Sequence, residues 1–161
     1  MSDKADIHRA LGKKKLWLSF WMVPNENAIR PKGCIRVGGH QASSASKNAI
    51  VDALYLDMLR PETRLSVNPH PRPVFHAIQC FLGNQTGQRL EDLGAYATVQ
   101  RYPSRAKFRG SVDFTIGSVG TGVVVTAIAC MTQVYLAAHN WVNRPEGRMI
   151  ALVAGGRDGA R

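Results

Sequence analysis

Apolar residues recur at three- and four-residue intervals in five stretches of the chain. This spacing brings side chains to one face of a helix and therefore predicts α-helices. Pro61 marks the end of the second stretch and Gly83 the end of the third, since proline cannot continue a helix and glycine favours its C-terminal stop. The five predicted helices cover residues 8–22, 46–59, 73–82, 88–93 and 118–139.

Two shorter stretches have the pattern of β-strands. Residues 63–70 begin as an alternating strand, with Leu65 and Val67 between polar neighbours, and end with Asn68 and His70 in a proline-flanked loop. Residues 147–156 form an apolar run that enters a glycine loop. Serines 43, 44 and 46 are suited to cap the helix that precedes the first strand. Because helices separate the two strands, the order predicts an α/β fold in which a parallel sheet is flanked by helices.

Size and charge narrow the class of protein. The chain has 161 residues and a net charge of +10, which favours anionic partners. Its basic residues lack interleaved aromatic residues, so nucleic acid is not an expected partner. The longest apolar run, 122–131, is too short to span a bilayer, and no membrane association is expected. Three widely spaced cysteines without metal-ligand spacing predict free, mostly buried thiols and a cytoplasmic location.

Reactive or flexible residues stand at the ends of several predicted elements. His70 follows the first strand and His40 precedes the second helix. The residue type allows three roles for each: a general acid or base, a ligand, or a hydrogen-bonded core histidine. Gly117, Gly120 and Gly122 open the long helix. They either expose backbone N–H groups to an anionic ligand or allow close helix packing.

Six motifs stand in one order along most of the chain. They are GGHQASSAS, VNPHPRPVFHAI, GNQT, YPSR, VDFTIGSVGTG and PEGRMIALV. Together they resemble the amino-terminal part of thiamine-diphosphate-dependent enzymes of the transketolase superfamily, closest to the homodimeric-type bacterial pyruvate dehydrogenase component. The similarity runs from about residue 16 to residue 153.

The resemblance implies roles for individual residues. His40 and His70 match active-site histidines that relay protons beside the thiazolium ring. The implied cofactors are thiamine diphosphate, an electron sink for decarboxylation of a 2-oxo acid, and Mg²⁺, which anchors the diphosphate. The implied partners are a second copy or a complementary chain, and the lipoyl acyltransferase of the complex. The residues that match cofactor-binding positions are Ser43, Asn68, Tyr102, Ser118, Val119 and Gly120.

The resemblance stops where the family has its magnesium motif, Gly-Asp-(Gly/Ala)-Glu. Here residues 154–161 read AGGRDGAR instead, so no residue of the chain is expected to be a metal ligand. The expected organisation is an N-terminal helix and loop over 1–34, a partial diphosphate-binding domain over 35–153, truncated before the magnesium motif, and a non-family tail over 154–161. The expected function is a fragment of the enzyme, inactive alone. The alternative is a non-catalytic remnant or interaction module that pairs with a full-length homologue or a split partner chain.

Overall fold

The structure is a computed structural model of the chain. It describes residues 2–29, 33, 41–91, 104–105, 112–118, 120–143 and 147–153. The chain divides into two compact units, one formed by Met1–Leu59 with His70–Tyr102, the other by Arg60–Pro69 with Pro103–Arg161. The elements are α1 (Ser2–Ile29), α2 (Gln41–Asp52), a π-helical turn (Ala53–Met58), β1 (Arg64–Val67), α3 (Arg72–Phe81), α4 (Gly87–Glu91), α5 (Thr121–Ala138) and β2 (Met149–Leu152).

The first unit consists of helices α1 to α4, with α1, α2 and α3 in mutual contact. Helix α3 supplies much of its buried apolar surface through Val74, Phe75 and Ile78. The predicted stop at Gly83 is confirmed, because this residue has φ 75° and its N–H donates to the Cys80 carbonyl at 3.0 Å. A left-handed φ of this kind favours glycine and ends the helix.

Helix α2 differs from its predicted start. It begins at Gln41, so the three serines expected to cap it lie inside the helix instead. Ser46 donates its hydroxyl hydrogen to the Ser43 carbonyl at 3.0 Å, while Ser44 is fully buried. A serine hydroxyl can bond to the preceding helical turn, and this local bond satisfies it without a cap.

Helix α1 buries a polar side and exposes an apolar one. Lys15 and Ser19 are fully buried beside Met22, whereas Trp17 is 63% exposed. The sequence pattern did not predict a buried lysine. The reason is a hydrogen-bonding partner on α2, because Lys15 donates to Asp52 across the helix pair.

The second unit contains the sheet and α5. Strands β1 and β2 are parallel, as predicted, and Val67 lies beside Leu152 at their carboxyl ends. Asp113 accepts a hydrogen bond from the Leu65 N–H at 2.8 Å and so closes part of the outer edge of β1. The described residues thus form a mixed, mostly helical fold with a two-stranded parallel sheet, in agreement with the α/β class at this level.

Candidate functional site

Asn68 is the first residue after β1 and is the most unusual polar side chain of the second unit. It is 1% exposed, and neither its Oδ1 nor its Nδ2 has a hydrogen-bond partner within the described part of the chain. A buried amide left unpaired costs about 1–3 kcal/mol. A position that tolerates such a cost in a folded protein is a candidate for contact with a ligand.

The N-terminus of α5 is built from residues that leave its backbone accessible. Gly120 is the N-cap residue and offers no side-chain cap, and the first turn carries no acidic residue. Ser118 and Thr121 share a hydrogen bond between their hydroxyls. Among the described residues, a Cβ added at Gly117 or at Gly120 would have no neighbour within 4 Å. The N-terminus of α5 thus has no side-chain cap within the described part of the chain, and its first N–H groups and positive dipole end favour an anion.

Gly122, unlike Gly117 and Gly120, is closely packed. A Cβ added there would lie 2.7 Å from Ser66 Oγ and 3.3 Å from Ile116 Cδ1. The close-packing interpretation of the glycine stretch is therefore correct for Gly122, which brings the first turn of α5 against the carboxyl half of β1. Ser66 Oγ is itself buried and has no hydrogen-bond partner among the described residues.

These features meet at one end of the second unit. The carboxyl ends of β1 and β2 lie side by side, and the Gly122–Ser66 approach holds the start of α5 beside β1. Ligands of parallel α/β sheets bind beyond the carboxyl ends of the strands. Of the residues predicted to bind cofactor, Asn68 directly follows β1, and Ser118 and Gly120 directly precede α5, whose first turn approaches Ser66.

The remaining predicted site residues fall into two groups. His70 is exposed just before α3, and Ser43 is half-buried in the first turn of α2; both belong to the first unit. His40, Tyr102 and Val119 lie outside the described residues.

Sequence reasoning missed a buried polar cluster between α1 and α2. Lys15 is fully buried, donates to Asp52 Oδ1 and donates to the Asn48 carbonyl at 2.8 Å. Asn48 in turn donates to the Gly12 carbonyl at 3.0 Å. Burial lowers the pKa of Lys15, while the hydrogen bond and charge of Asp52 oppose that shift. With no exposed atom, this lysine positions the two helices and does not meet a substrate.

His76 and the described cysteines differ in their surroundings. His76 is fully buried and its Nδ1 lies 3.2 Å from the Gln85 amide, so it belongs to the core. Burial raises the pKa of the Cys80 thiol, so it stays protonated at neutral pH. Cys130 is exposed on α5, so the expectation of mostly buried thiols is wrong for this residue.

The implied cofactors can be tested against these groups. The open N-terminus of α5 and the unpaired Asn68 amide suit a ligand that is anionic and rich in polar atoms, as thiamine diphosphate is. For Mg²⁺, the described residues hold no group of three or more His, Cys, Asp or Glu side chains placed around one point. The AGGRDGAR segment lies outside those residues.

No protein-family model matches the chain, and a search of curated proteins finds no match. The six motifs and the geometry of the second unit are therefore the observations that bear on function.

Proposed function

We propose that the chain is part of a thiamine-diphosphate-dependent enzyme of the transketolase superfamily, nearest to the pyruvate dehydrogenase component. Six motifs in family order support this proposal. The single structural observation that carries it is Asn68, a buried and unpaired amide beyond the end of β1, in the unit where α5 opens on bare glycines. Both lie where parallel α/β folds bind ligands.

The start of α5, Asn68 and the two histidines have different roles in the proposed enzyme. The N–H groups at the start of α5 attract the anionic end of the cofactor, and Ser118 supplies a hydroxyl at the same turn. Asn68 offers one acceptor and two donors to a polar ring or phosphate oxygen. Proton transfer is assigned to His40 and His70 from the resemblance alone, because an imidazole ring can act as a general acid or base. The bound cofactor supplies the electron sink for cleavage of a bond beside a carbonyl.

Activity of the chain is expected to depend on a second polypeptide. AGGRDGAR stands where the family has its acidic magnesium motif, and Asp158 is the sole carboxylate in that segment. Mg²⁺ prefers octahedral oxygen ligands that a single carboxylate does not complete. We therefore expect weak cofactor binding by the chain alone, and catalysis only with a homologous or complementary chain that supplies the missing ligands.

Isothermal titration calorimetry with thiamine diphosphate and MgCl₂ tests the site. Gly120→Asp puts a negative charge at the N-terminus of α5, and Gly120→Asn adds a side chain of the same shape without the charge. Electrostatic attraction at this turn predicts that Gly120→Asp weakens binding at least tenfold, and more than Gly120→Asn does. Asn68→Leu should weaken binding by a similar factor, whereas Asn143→Leu, an exposed residue of the same unit, should leave it unchanged.

Two results would reject the proposal. One is the absence of heat up to millimolar cofactor both for the chain alone and for a mixture with a full-length homologue. The other is binding that none of the Gly120 and Asn68 variants changes, since the ligand would then lie elsewhere.

The second candidate function is a non-catalytic interaction module. It is favoured by the apolar surface of α5, where Ile128 is 57% and Met131 is 71% exposed. Apolar patches of this kind mark sites of association in soluble proteins. Under this alternative, pull-down of a homologue succeeds without any calorimetric response to cofactor.

A further inference from the structure

Helix α1 turns its polar side toward the first unit and its aromatic side outward. Lys15 and Ser19 are fully buried and Glu26 is 3% exposed, whereas Trp17 is 63% and Phe20 37% exposed. A surface helix of a soluble domain normally has the opposite arrangement, with its apolar residues inside. Within the described part of the chain, packing therefore accounts for the polar side of α1 and leaves the aromatic side uncovered.

The exposed aromatic residues of α1 form one continuous surface. Trp17, Phe20 and Trp21 follow each other at intervals of three and four residues, which brings them to one side of the helix. We call these three residues the aromatic patch. The rings of Trp17 and Trp21 are stacked, with centroids 6.3 Å apart and planes 11° from parallel. Single exposed apolar residues are ordinary, but a contiguous patch marks a contact surface.

Basic residues adjoin the aromatic patch at one end. Lys13 and Lys14 are exposed in the turn before Trp17. No aspartate or glutamate stands between Asp6 and the buried Glu26, and the whole chain has a net charge of +10. This combination suits a lipid surface with anionic headgroups. Tryptophan and phenylalanine rings enter the boundary between headgroups and acyl chains, while lysines remain among the phosphates.

We infer that the first unit binds the surface of an anionic lipid membrane through α1. The helix lies in the plane of the headgroups, with the aromatic patch toward the acyl chains. A helix bound in this way does not span the bilayer, so the short apolar runs of the chain are no obstacle. Lys15 donates to Asp52 and ties α1 to α2, so the unit keeps its fold while the outer side of α1 meets lipid.

The size of the aromatic patch favours a membrane over a protein partner. Trp21 is half-buried, unlike Trp17. With aromatic side chains of about 150–250 Å² each, the patch exposes on the order of 250 Å². A specific protein interface buries about 800 Å² on each partner. The patch falls well short of that area, whereas a lipid surface needs no complementary shape and attracts every lysine near it.

Single-stranded nucleic acid is a competing partner, because it also combines with aromatic and basic residues. It requires rings spaced along a basic track, so that successive bases can stack on them. In α1 the two tryptophans stack on each other instead. Lys13 and Lys14 precede the aromatic patch and do not run along it. This arrangement favours the membrane.

Helix α5 is a competing membrane contact within the chain. It is long and apolar enough to cross a membrane by length and composition, and its Met131 is 71% exposed. It contains no charged residue, however, so anionic headgroups attract it no more than neutral ones do. A preference for anionic lipid therefore distinguishes α1 from α5.

Co-sedimentation of the full chain with vesicles tests the inference. One set is pure phosphatidylcholine, and the other contains about one-third phosphatidylserine. The wild type should bind the anionic vesicles, less as NaCl is raised. Replacing Lys13 and Lys14 together by glutamine should weaken that binding about 25-fold, at roughly fivefold for each lysine. Trp17→Ala should weaken it at least about tenfold, because the largest inserted ring is lost, and Trp17→Phe should restore most of it.

Three control variants carry matched changes at other exposed positions. Replacing Arg60 and Arg89 by glutamine removes the same amount of charge away from the patch, and should weaken binding far less than the lysine pair does. Trp141→Ala removes a tryptophan that is 66% exposed in the second unit, and should leave binding unchanged. Met131→Glu should also leave it unchanged, because α5 does not meet the lipid.

Tryptophan fluorescence tests insertion in a chain whose α1 is intact. Trp141→Phe leaves Trp17 and Trp21 as the only tryptophans. Anionic vesicles should shift their emission to shorter wavelength, and lipids brominated on the acyl chains should quench it. Neutral vesicles should do neither.

Five outcomes would overturn the inference: no binding to anionic vesicles, equal binding to both kinds of vesicle, emission that brominated lipids do not quench, binding that Met131→Glu abolishes and Trp17→Ala does not, or a Trp17-dependent affinity for a thymidine oligonucleotide in place of vesicles. The inference does not rest on the proposed function, because vesicle binding and cofactor titration are separate measurements and either can fail alone.

Discussion

The approach of α5 to β1 through Gly122 makes a quantitative prediction. Gly122→Ala adds a methyl group 2.7 Å from Ser66 Oγ, closer than a carbon and an oxygen pack without a bond. The neighbouring Ile116 Cδ1, at 3.3 Å, leaves little room for the methyl to move away. Alanine normally stabilises a helix by about 1 kcal/mol relative to glycine. Overpacking of this kind costs about 1–3 kcal/mol. We therefore expect Gly122→Ala to lower the free energy of unfolding by about 1 kcal/mol.

The sign should reverse when the obstructing oxygen is removed. Ser66→Ala deletes a buried hydroxyl that has no partner, which by itself should be neutral or stabilising by up to about 1 kcal/mol. In that background, Gly122→Ala should raise the free energy of unfolding, because the helix-propensity gain remains and the closest contact is gone. The coupling between the two substitutions should be about 1–2 kcal/mol, within the range found for contacting residues.

Urea unfolding followed by circular dichroism at 222 nm measures all four members of this cycle. Gly117→Ala is the matched control: an added Cβ there meets no atom within 4 Å, so its effect should stay within about 0.5 kcal/mol. Additive effects of Ser66→Ala and Gly122→Ala would show that α5 does not approach β1 at this point. The placement of the candidate site would then be wrong as well.

Three further predictions follow from polar groups in the two units. Asn68→Leu should raise the free energy of unfolding by about 1 kcal/mol in urea while it weakens cofactor binding, because an unpaired buried amide is removed; a loss of stability would mean that the amide has a structural partner. Gly120→Asp should raise the free energy of unfolding by about 0.5–1 kcal/mol, because a carboxylate caps α5 and interacts with its dipole; an unchanged or lower thermal midpoint in calorimetry would contradict this. Lys15→Met should lower the free energy of unfolding by about 3 kcal/mol at pH 7, because Asp52 is left buried without its partner. Burial lowers the pKa of Lys15 in the folded state. The free energy of unfolding of the wild type relative to Lys15→Met should therefore rise with pH, from that lowered pKa up to the ordinary lysine pKa of about 10.4. Urea titrations that show a fall over that interval would refute the lowered pKa of Lys15.

Local sequence signals predicted the elements well where the physical cause is local. Gly83 stops α3 because glycine reaches a left-handed φ, and the parallel arrangement of β1 and β2 follows from the helices between them. The start of α2 was missed, because a serine hydroxyl can bond within the helix as well as cap it. Local pattern does not distinguish these two uses of serine.

For the candidate site, the chain predicted where two residues stand relative to the elements but not their contacts. Asn68 was expected just beyond a strand, as observed, and Gly120 near the start of the long helix, which begins at Thr121. The close contact between Ser66 and Gly122 could not be predicted, because it joins residues more than fifty positions apart. The ion pair of Lys15 with Asp52 was hidden for the same reason, since a run of three lysines ordinarily indicates a solvated surface.

The pairing of β1 with β2 has a consequence during synthesis. About 80 residues separate Val67 from Met149, so β1 leaves the ribosome well before the strand that pairs with it. At about 5–20 residues per second, the nascent chain spends roughly 4–16 s without that pairing. Helices α1 to α4 depend on nearer neighbours and can assemble during this interval. Translation speed between the two strands should therefore govern how much of the newly made protein escapes aggregation or capture by chaperones.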